Sequence, residues 1–310
     1  MAADGTGRVQ IDFADAPRGP LTVVLAGAGG SSGPATTRLQ LYNASGPAAA
    51  EVLPPSDLAT GRTLVYDEEF EHPLSISRDG LGADYAAAKP NRSGAEDFGD
   101  AIFPDPRLGF DNLQVVDEQY LRIKVEPNPP GFEDPNPWNR SRVGGLLASA
   151  RTGGSGFSAQ YGYFEARMLA PVAPGTWPAF WTLPAPNLAV AQPVEAEVDA
   201  VELYGNDPLQ TCHSTHQHQG GEDEPNTQCE QIFRSAEAAL GWHVYGVDVT
   251  PTGITFFVDG KQVATAPQIT GGDQPMFFMV NLALGGGWPV ELDNVGNRAA
   301  LYVDYVRVYT

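Results

Sequence analysis

Lysine is almost missing from this chain. Only Lys89, Lys124 and Lys261 contribute to its eighteen basic residues, set against thirty-eight acidic ones, for a formal net charge of −20. A surface so poor in positive charge does not suit a nucleic-acid backbone or an anionic membrane, and neither is expected as a partner. No stretch approaches eighteen uninterrupted apolar residues, which excludes a helical membrane span. The opening Met1-Ala2-Ala3-Asp4-Gly5 lacks both the basic and the apolar region of an export signal. Cysteine is scarce, with Cys212 and Cys229 alone, and helix-like stretches such as Ala236 to Leu240 are short. What is abundant is glycine (35) and proline (27), the composition of many short strands joined by turns. At 310 residues the chain can hold one large β domain and an appendage.

The most informative stretch is Val194-Glu195-Ala196-Glu197-Val198-Asp199-Ala200-Val201-Glu202. It reads as a strand, in which Glu197 and Asp199 share one face while Val198 and Ala200 take the other. Glu202 stands at an odd offset, which would turn its carboxylate into the apolar layer at considerable cost. One extra residue, a β-bulge near Ala200-Val201, returns it to the face of the other two. With that bulge the Glu197 and Glu202 Cα atoms are roughly 13 Å apart. Side chains leaning inward bring the carboxyls to roughly 5–7 Å, near the separation at which retaining glycosidases work. A solvated acidic strand is the alternative.

The flanking runs narrow the choice. Gly162-Tyr163-Phe164-Glu165-Ala166-Arg167 and Gly175-Thr176-Trp177-Pro178-Ala179-Phe180-Trp181-Thr182-Leu183-Pro184 precede the acids. Trp242-His243-Val244-Tyr245-Gly246-Val247, Phe256-Phe257-Val258-Asp259-Gly260, Asn281-Leu282-Ala283-Leu284-Gly285-Gly286 and Val303-Asp304-Tyr305-Val306-Arg307-Val308-Tyr309 follow. In this order, over residues 61–310, the chain resembles glycoside hydrolase family 16, in the laminarinase-like branch with the bulged Glu-x-Asp-x-x-Glu spacing. The resemblance implies an all-β fold, a β-jelly-roll sandwich of two antiparallel sheets (concanavalin A-like) with a cleft across the concave sheet. It implies an endo-acting retaining β-glycan hydrolase in which Glu197 is the nucleophile, Glu202 the acid/base and Asp199 the residue that tunes them. Endo-β-1,3-glucanase activity is the leading expectation. Hydrolysis of a β-galactan or other exopolysaccharide, transglycosylation, and glycan binding without catalysis remain open. No cofactor is expected for catalysis. The partner is a polysaccharide, which implies a secreted or periplasmic protein, and a monomer is expected.

Family members hold a structural calcium by carboxylates near the first and last strands, and Glu69 and Asp304 match those places. Sugar rings stack on aromatic platforms and are oriented by polar groups. Trp177 and Trp181, four apart on one strand face, are therefore expected in the subsites, with Trp288 at the rim after Gly285-Gly286-Gly287. Asn281 and Asn112 match the family's cleft amides. His213 and His216 follow the acidic strand as candidates for sugar contact. With His218 they are not expected to bind zinc, which needs three or four converging ligands. Thr215 to Gln228 reads as a polar loop, and in an exported protein a Cys212–Cys229 disulfide is expected to close it. Residues 1–60 are expected to form a small β appendage with strands at Val9 to Phe13, Leu21 to Leu25 and Leu39 to Tyr42. The long stretches 72–108 and 126–142 read as functional or mobile loops.

Overall fold

The structure, a computed structural model, describes residues 18–26, 36–43, 57–235 and 239–310. The chain divides into two compact units, Met1–Pro54 and Pro55–Thr310. In the first, Gly19–Ala26 and Thr36–Asn43 run antiparallel, with Leu21 opposite Leu41 and Val23 opposite Leu39. These are two of the three strands expected there, and Val9 to Phe13 lies outside the described residues. The division falls at residue 54 rather than 60. A short 3-10 turn, Asp57–Ala59, belongs to the second unit, where Ala59 is buried beside Tyr163 and Tyr309.

Among the described residues of the second unit, two nine-stranded sheets carry nearly all the regular structure. One orders Arg142–Val143, Tyr120–Pro127, Ala299–Tyr309, Gly162–Leu169, His243–Thr250, Gly253–Val258 and Lys261–Ala266. The other orders Glu222–Asp223, Gln210–Gln219, Glu195–Glu202, Thr176–Pro184, Met276–Leu284, Gly145–Ala148, Tyr85–Ala86 and Ile76–Ser77. Pairing is antiparallel except between the last two. Alternation explains the layering. Phe164, Ala166 and Met168 from the first sheet join Phe180, Val198, Val201, Phe278 and Val280 from the second in a single buried apolar cluster. The β-sandwich is the jelly roll expected from the sequence.

One expectation about loops needs correction. Thr215 to Gln228 is not a loop. Gln210–Gln219 and Asn226–Gln231 form a hairpin in which Cys212 pairs directly with Cys229, and their disulfide crosses that rung with the Cα atoms 4.1 Å apart. The residues between them alternate polar side chains because the hairpin sits at the sheet edge, exposed over most of its outer strand.

The stretches 72–108 and 126–142 are fixed to each other by a buried ion network. Arg140 bonds Asp97 at 2.8 Å, Asp134 at 2.8 Å and the Ala101 carbonyl at 2.9 Å, with 4 % of its side chain exposed. Arg78 reaches the other Asp97 oxygen at 2.9 Å. The Arg140 guanidinium holds the Asp134 carboxyl well below the usual range. Asp97 is next in sequence to Phe98, so this network positions an aromatic ring that reaches the site described below. Arg140→Ala leaves two buried carboxylates short of a partner, and a loss of about 3–5 kcal/mol is expected in denaturant unfolding. A loss below about 1 kcal/mol would mean that the network does not hold these segments in place.

Candidate active site

The acidic strand carries the expected bulge. Against Thr176–Pro184, Phe180 pairs with Val201 and Trp181 with Asp199; against Gln210–Gln219, Asp199 pairs with Ser214 and Glu202 with Cys212. Ala200 is therefore the extra residue relative to both neighbours, and the parity of Glu202 is reset. Glu197, Asp199 and Glu202 line one cavity of about 200 Å³, together with Trp177, Ala179, Trp181, Asn281, Lys89, Glu96 and Phe98. Val198, Ala200 and Val201 lie in the core. His213 stabilises the kink from behind. Its Nδ1–H donates to the Ala200 carbonyl at 2.7 Å, and its Nε2 accepts from the Thr211 hydroxyl at 2.9 Å. This tautomer follows from the carbonyl, which can only accept. Burial pushes His213 down to about 4, so it is neutral at pH 7. The expected sugar contact at His213 is thereby corrected: the ring is fully buried beneath the strand.

The hairpin next to the acids carries their counter-charges. His216 Nε2 lies 3.2 Å from Asp199 Oδ2, and its Nδ1 lies 2.8 Å from Asp223 Oδ2. His218 Nε2 lies 3.3 Å from Glu197 Oε2, and its Nδ1 lies 3.5 Å from Asp223 Oδ1. Bonding to Asp199 pushes His216 up to about 10, and bonding to Glu197 raises His218. Burial, with the Glu197 charge next in weight, pushes Asp199 well above the usual carboxylate range. A proton held across the Asp199–His216 contact is thus hard to remove. His216 meets the acids themselves and is absent from the cavity lining, so its position is that of a counter-ion.

Glu202 is held by two donors to one oxygen. Trp177 Nε1 donates to Oε1 at 3.0 Å and Tyr204 Oη donates to the same atom at 2.9 Å, while Ser214 Oγ stands 3.4 Å from Oε2. The Trp177 and Tyr204 rings stack at 16°. Tyr204 was legible in principle, since two residues past Glu202 keeps the same face. His218 shares the parity of His216, and Asp223 sits across from His218, but only the pairing register reveals them. Lys89, Glu96 and Phe98 come from a segment nearly a hundred residues earlier, with no periodic signal to place them.

Trp177 and Trp181 both line the cavity as expected, but they are braced on protein groups. Trp181 Nε1 donates to Asn281 Oδ1 at 2.8 Å, Asn281 Nδ2 donates to the Trp177 carbonyl at 3.1 Å, and Phe98 meets both rings edge-on at 5.7 Å. Lys89 Nζ lies 5.8 Å from the Trp181 ring centre and 3.4 Å from Glu96. Trp288 is 46 % exposed and is not part of the cavity wall. Asn112 is not in the cleft: it is buried, and its amide donates to the Gly144 carbonyl.

The carboxylates expected to bind calcium do not fit it. Glu69 accepts from Arg307 at 2.6 and 2.7 Å, and burial together with Asp67 lifts it to about 7. Asp304 accepts from Arg167 at 2.7 Å. Each is engaged by a different arginine, so a calcium ion would have to displace two guanidinium groups.

Comparison with known proteins places this site in context. The family model for Glycosyl hydrolases family 16 matches residues 111–307. An endo-1,3-1,4-β-glycanase of Rhizobium meliloti (strain 1021) is 34 % identical over 156 residues, covering 50 % of this chain and 32 % of that protein. The β-glucanase of Rhodothermus marinus is 34 % identical over 164 residues, covering 48 % of this chain and 57 % of that one. The chain thus spans between about a third and just over half of these relatives' length. Among solved structures, the laminarinase catalytic domain from Thermotoga maritima MSB8 shares the fold, with a TM-score of 0.61 at 19 % identity, covering 80 % of this chain and 98 % of that one.

The buried imidazole behind the bulge has a consequence for acid stability. His213 has an ordinary value of 6.5 and a folded value of about 4. Above pH 6.5 it is neutral folded or unfolded; as pH falls from 6.5 to 4, the unfolded chain gains a proton that the folded chain refuses. Stability should fall over that window, by roughly 3 kcal/mol from this residue. In urea unfolding at pH 7 and pH 4, His213→Gln should show a shallower decline than the parent protein. An equal decline in both would mean that another group sets the acid limit.

Proposed function

Because the chain belongs to glycosyl hydrolase family 16, we propose that it is an endo-acting, retaining β-glucan hydrolase with a preference for β-1,3-glucan of the laminarin type. The observation that carries this reading is the bulge at Ala200, which turns two glutamates and an aspartate into one aromatic-walled cavity. The Rhodothermus marinus relative, named a β-glucanase, supports the substrate class, and the Rhizobium meliloti endo-1,3-1,4-β-glycanase supports β-glycan cleavage. Glu197, ionised, attacks the anomeric carbon. The glycosidic C–O bond breaks as Glu202 passes its proton to the leaving oxygen, leaving a glycosyl ester on Glu197. Water then attacks that carbon, gives its proton to Glu202 and restores Glu197. Since Oε1 of Glu202 already accepts from Trp177 and Tyr204, Oε2 carries the transferable proton. Asp199, reluctant to ionise, sits between the two as a proton-holding neighbour.

A polysaccharide is degraded outside the cell, and the cross-strand disulfide suits an oxidising compartment. Among the described residues no helix is long and apolar enough to cross a membrane. The protein is proposed to act as a secreted monomer.

The test is a panel of laminarin, mixed-linkage glucan, agarose, porphyran and carrageenan, assayed for new reducing ends. Cleavage of laminarin is expected; cleavage confined to a galactan would keep the chemistry and overturn the substrate. Within the reaction, Glu197→Gly should lose activity by several orders of magnitude and recover turnover with azide or an α-glycosyl fluoride donor. Glu202→Ala should still form the covalent intermediate on substrates with good leaving groups and then stall. Identical behaviour of the two variants on an activated substrate would reverse or remove the assignment.

A further inference from the structure

We propose that His216, His218 and Glu197 form a binding site for one divalent transition-metal ion, zinc above all, seated over the carboxylate of Glu197. The three side chains can each direct one ligand atom into a space where all of these atoms lie within 4.8 Å of one another. Sequence alone showed histidines two apart and no convergence; the register of Glu195–Glu202 against Gln210–Gln219, with Glu197 opposite His216 and Glu195 opposite His218, supplies it.

The geometry is that of a nearly formed tetrahedral site. Zinc bonded at about 2.0–2.1 Å holds its ligand atoms roughly 3.3 Å apart. His218 Nε2 and Glu197 Oε2 are 3.3 Å apart, and His216 Nε2 and Asp199 Oδ2 are 3.2 Å apart. One edge of the coordination polyhedron, His218 to Glu197, therefore exists, and the widest ligand separation must close by at most about 1.5 Å. A water completes the fourth position.

A second observation distinguishes this cluster from an ordinary set of surface charges. Both imidazoles direct Nε2 toward the acids and are anchored through Nδ1 on the two oxygens of one carboxylate, Asp223. That is the outer-shell arrangement that fixes ring orientation in metal-binding histidines. The rings are parallel to within 9°. The hairpin that carries them is clamped by the Cys212–Cys229 bridge, four residues from His216, so the ligands are ordered in advance. His218 and Asp223 are more than a third exposed, which gives an ion access from solvent. Imidazole nitrogen with a carboxylate favours zinc or copper over calcium or magnesium. A bound cation would place its positive charge beside Glu197, Asp199 and Asp223, the carboxylates that the two imidazoles face. An ion held there blocks in-line attack by Glu197, and the site becomes an inhibitory one. Inhibition rests on the hydrolase reading; metal binding does not.

The test is calorimetric titration of the whole protein with zinc chloride, paired with the visible absorption of added cobalt(II), which reports tetrahedral ligation. One saturable site and intense cobalt bands are expected. Asp223→Asn should weaken binding about 10–100-fold. The double variant His216→Gln/His218→Gln should weaken it further and abolish the cobalt bands. His243→Gln, whose imidazole pairs with Asp259 on the other sheet, should bind as the parent does. No saturable uptake, or uptake undiminished in the double variant, would overturn the site. Full hydrolytic turnover with zinc bound would overturn the capping of Glu197, whereas absence of any turnover on the glycan panel would leave the binding result intact.

Discussion

The whole site depends on one inserted residue. Ala200 has no counterpart on either neighbouring strand, and that mismatch is what lets a carboxylate at an odd offset share a face with two at even positions. Without it, Glu202 would point among Val198, Val201 and Phe180, where a charge costs several kcal/mol. The kink exposes the Ala200 carbonyl within the protein, and His213 satisfies it from a fully buried, neutral ring. A functional array and a buried histidine on the opposite face are two sides of the same bulge.

Crowding the acids creates the second constraint, and the neighbouring hairpin answers it. Asp199 responds to burial and to Glu197 by holding its proton more tightly, while His216 holds its own proton against Asp199 and contact with Glu197 raises His218. Asp223 aligns both rings at once. Glu202 is treated differently: an indole and a phenol fix one of its oxygens and leave the other for proton traffic. Different neighbours thus give chemically similar carboxyls different tasks, which is how two-carboxylate sites divide labour. From the far side, the Arg140–Asp97–Asp134 network brings Phe98 against the edges of Trp177 and Trp181, so the cavity wall depends on a salt bridge remote from the acids.

Strand periodicity and turn composition made the sandwich legible, and the parity of Glu202 made the bulge legible, because each is a local rule with a large penalty for violation. Trp177 and Trp181 were found because they stand four apart on a strand whose faces can be counted, whereas Asn281 was found only through the family resemblance. Asn112 was misplaced because one asparagine outside a strand carries no parity, and its side-chain N–H is turned to the Gly144 carbonyl rather than to the cleft. Glu69 and Asp304 look like free ligands in a sequence; only the structure shows an arginine on each. The hairpin at Thr215 to Gln228 read as a loop because an edge strand exposed on both faces lacks the apolar alternation by which strands are recognised.

The central claim is that Glu197 and Glu202 stand close enough for direct attack on the sugar and double displacement. It is tested most directly by following the first seconds of laminarin hydrolysis by proton NMR and reading the anomeric configuration of the new reducing end. A β-anomer that only later mutarotates to the α form is the expected result. An α-anomer appearing first would mean a water-spaced, inverting pair of carboxyls, and the chemistry assigned to the bulged strand would be wrong.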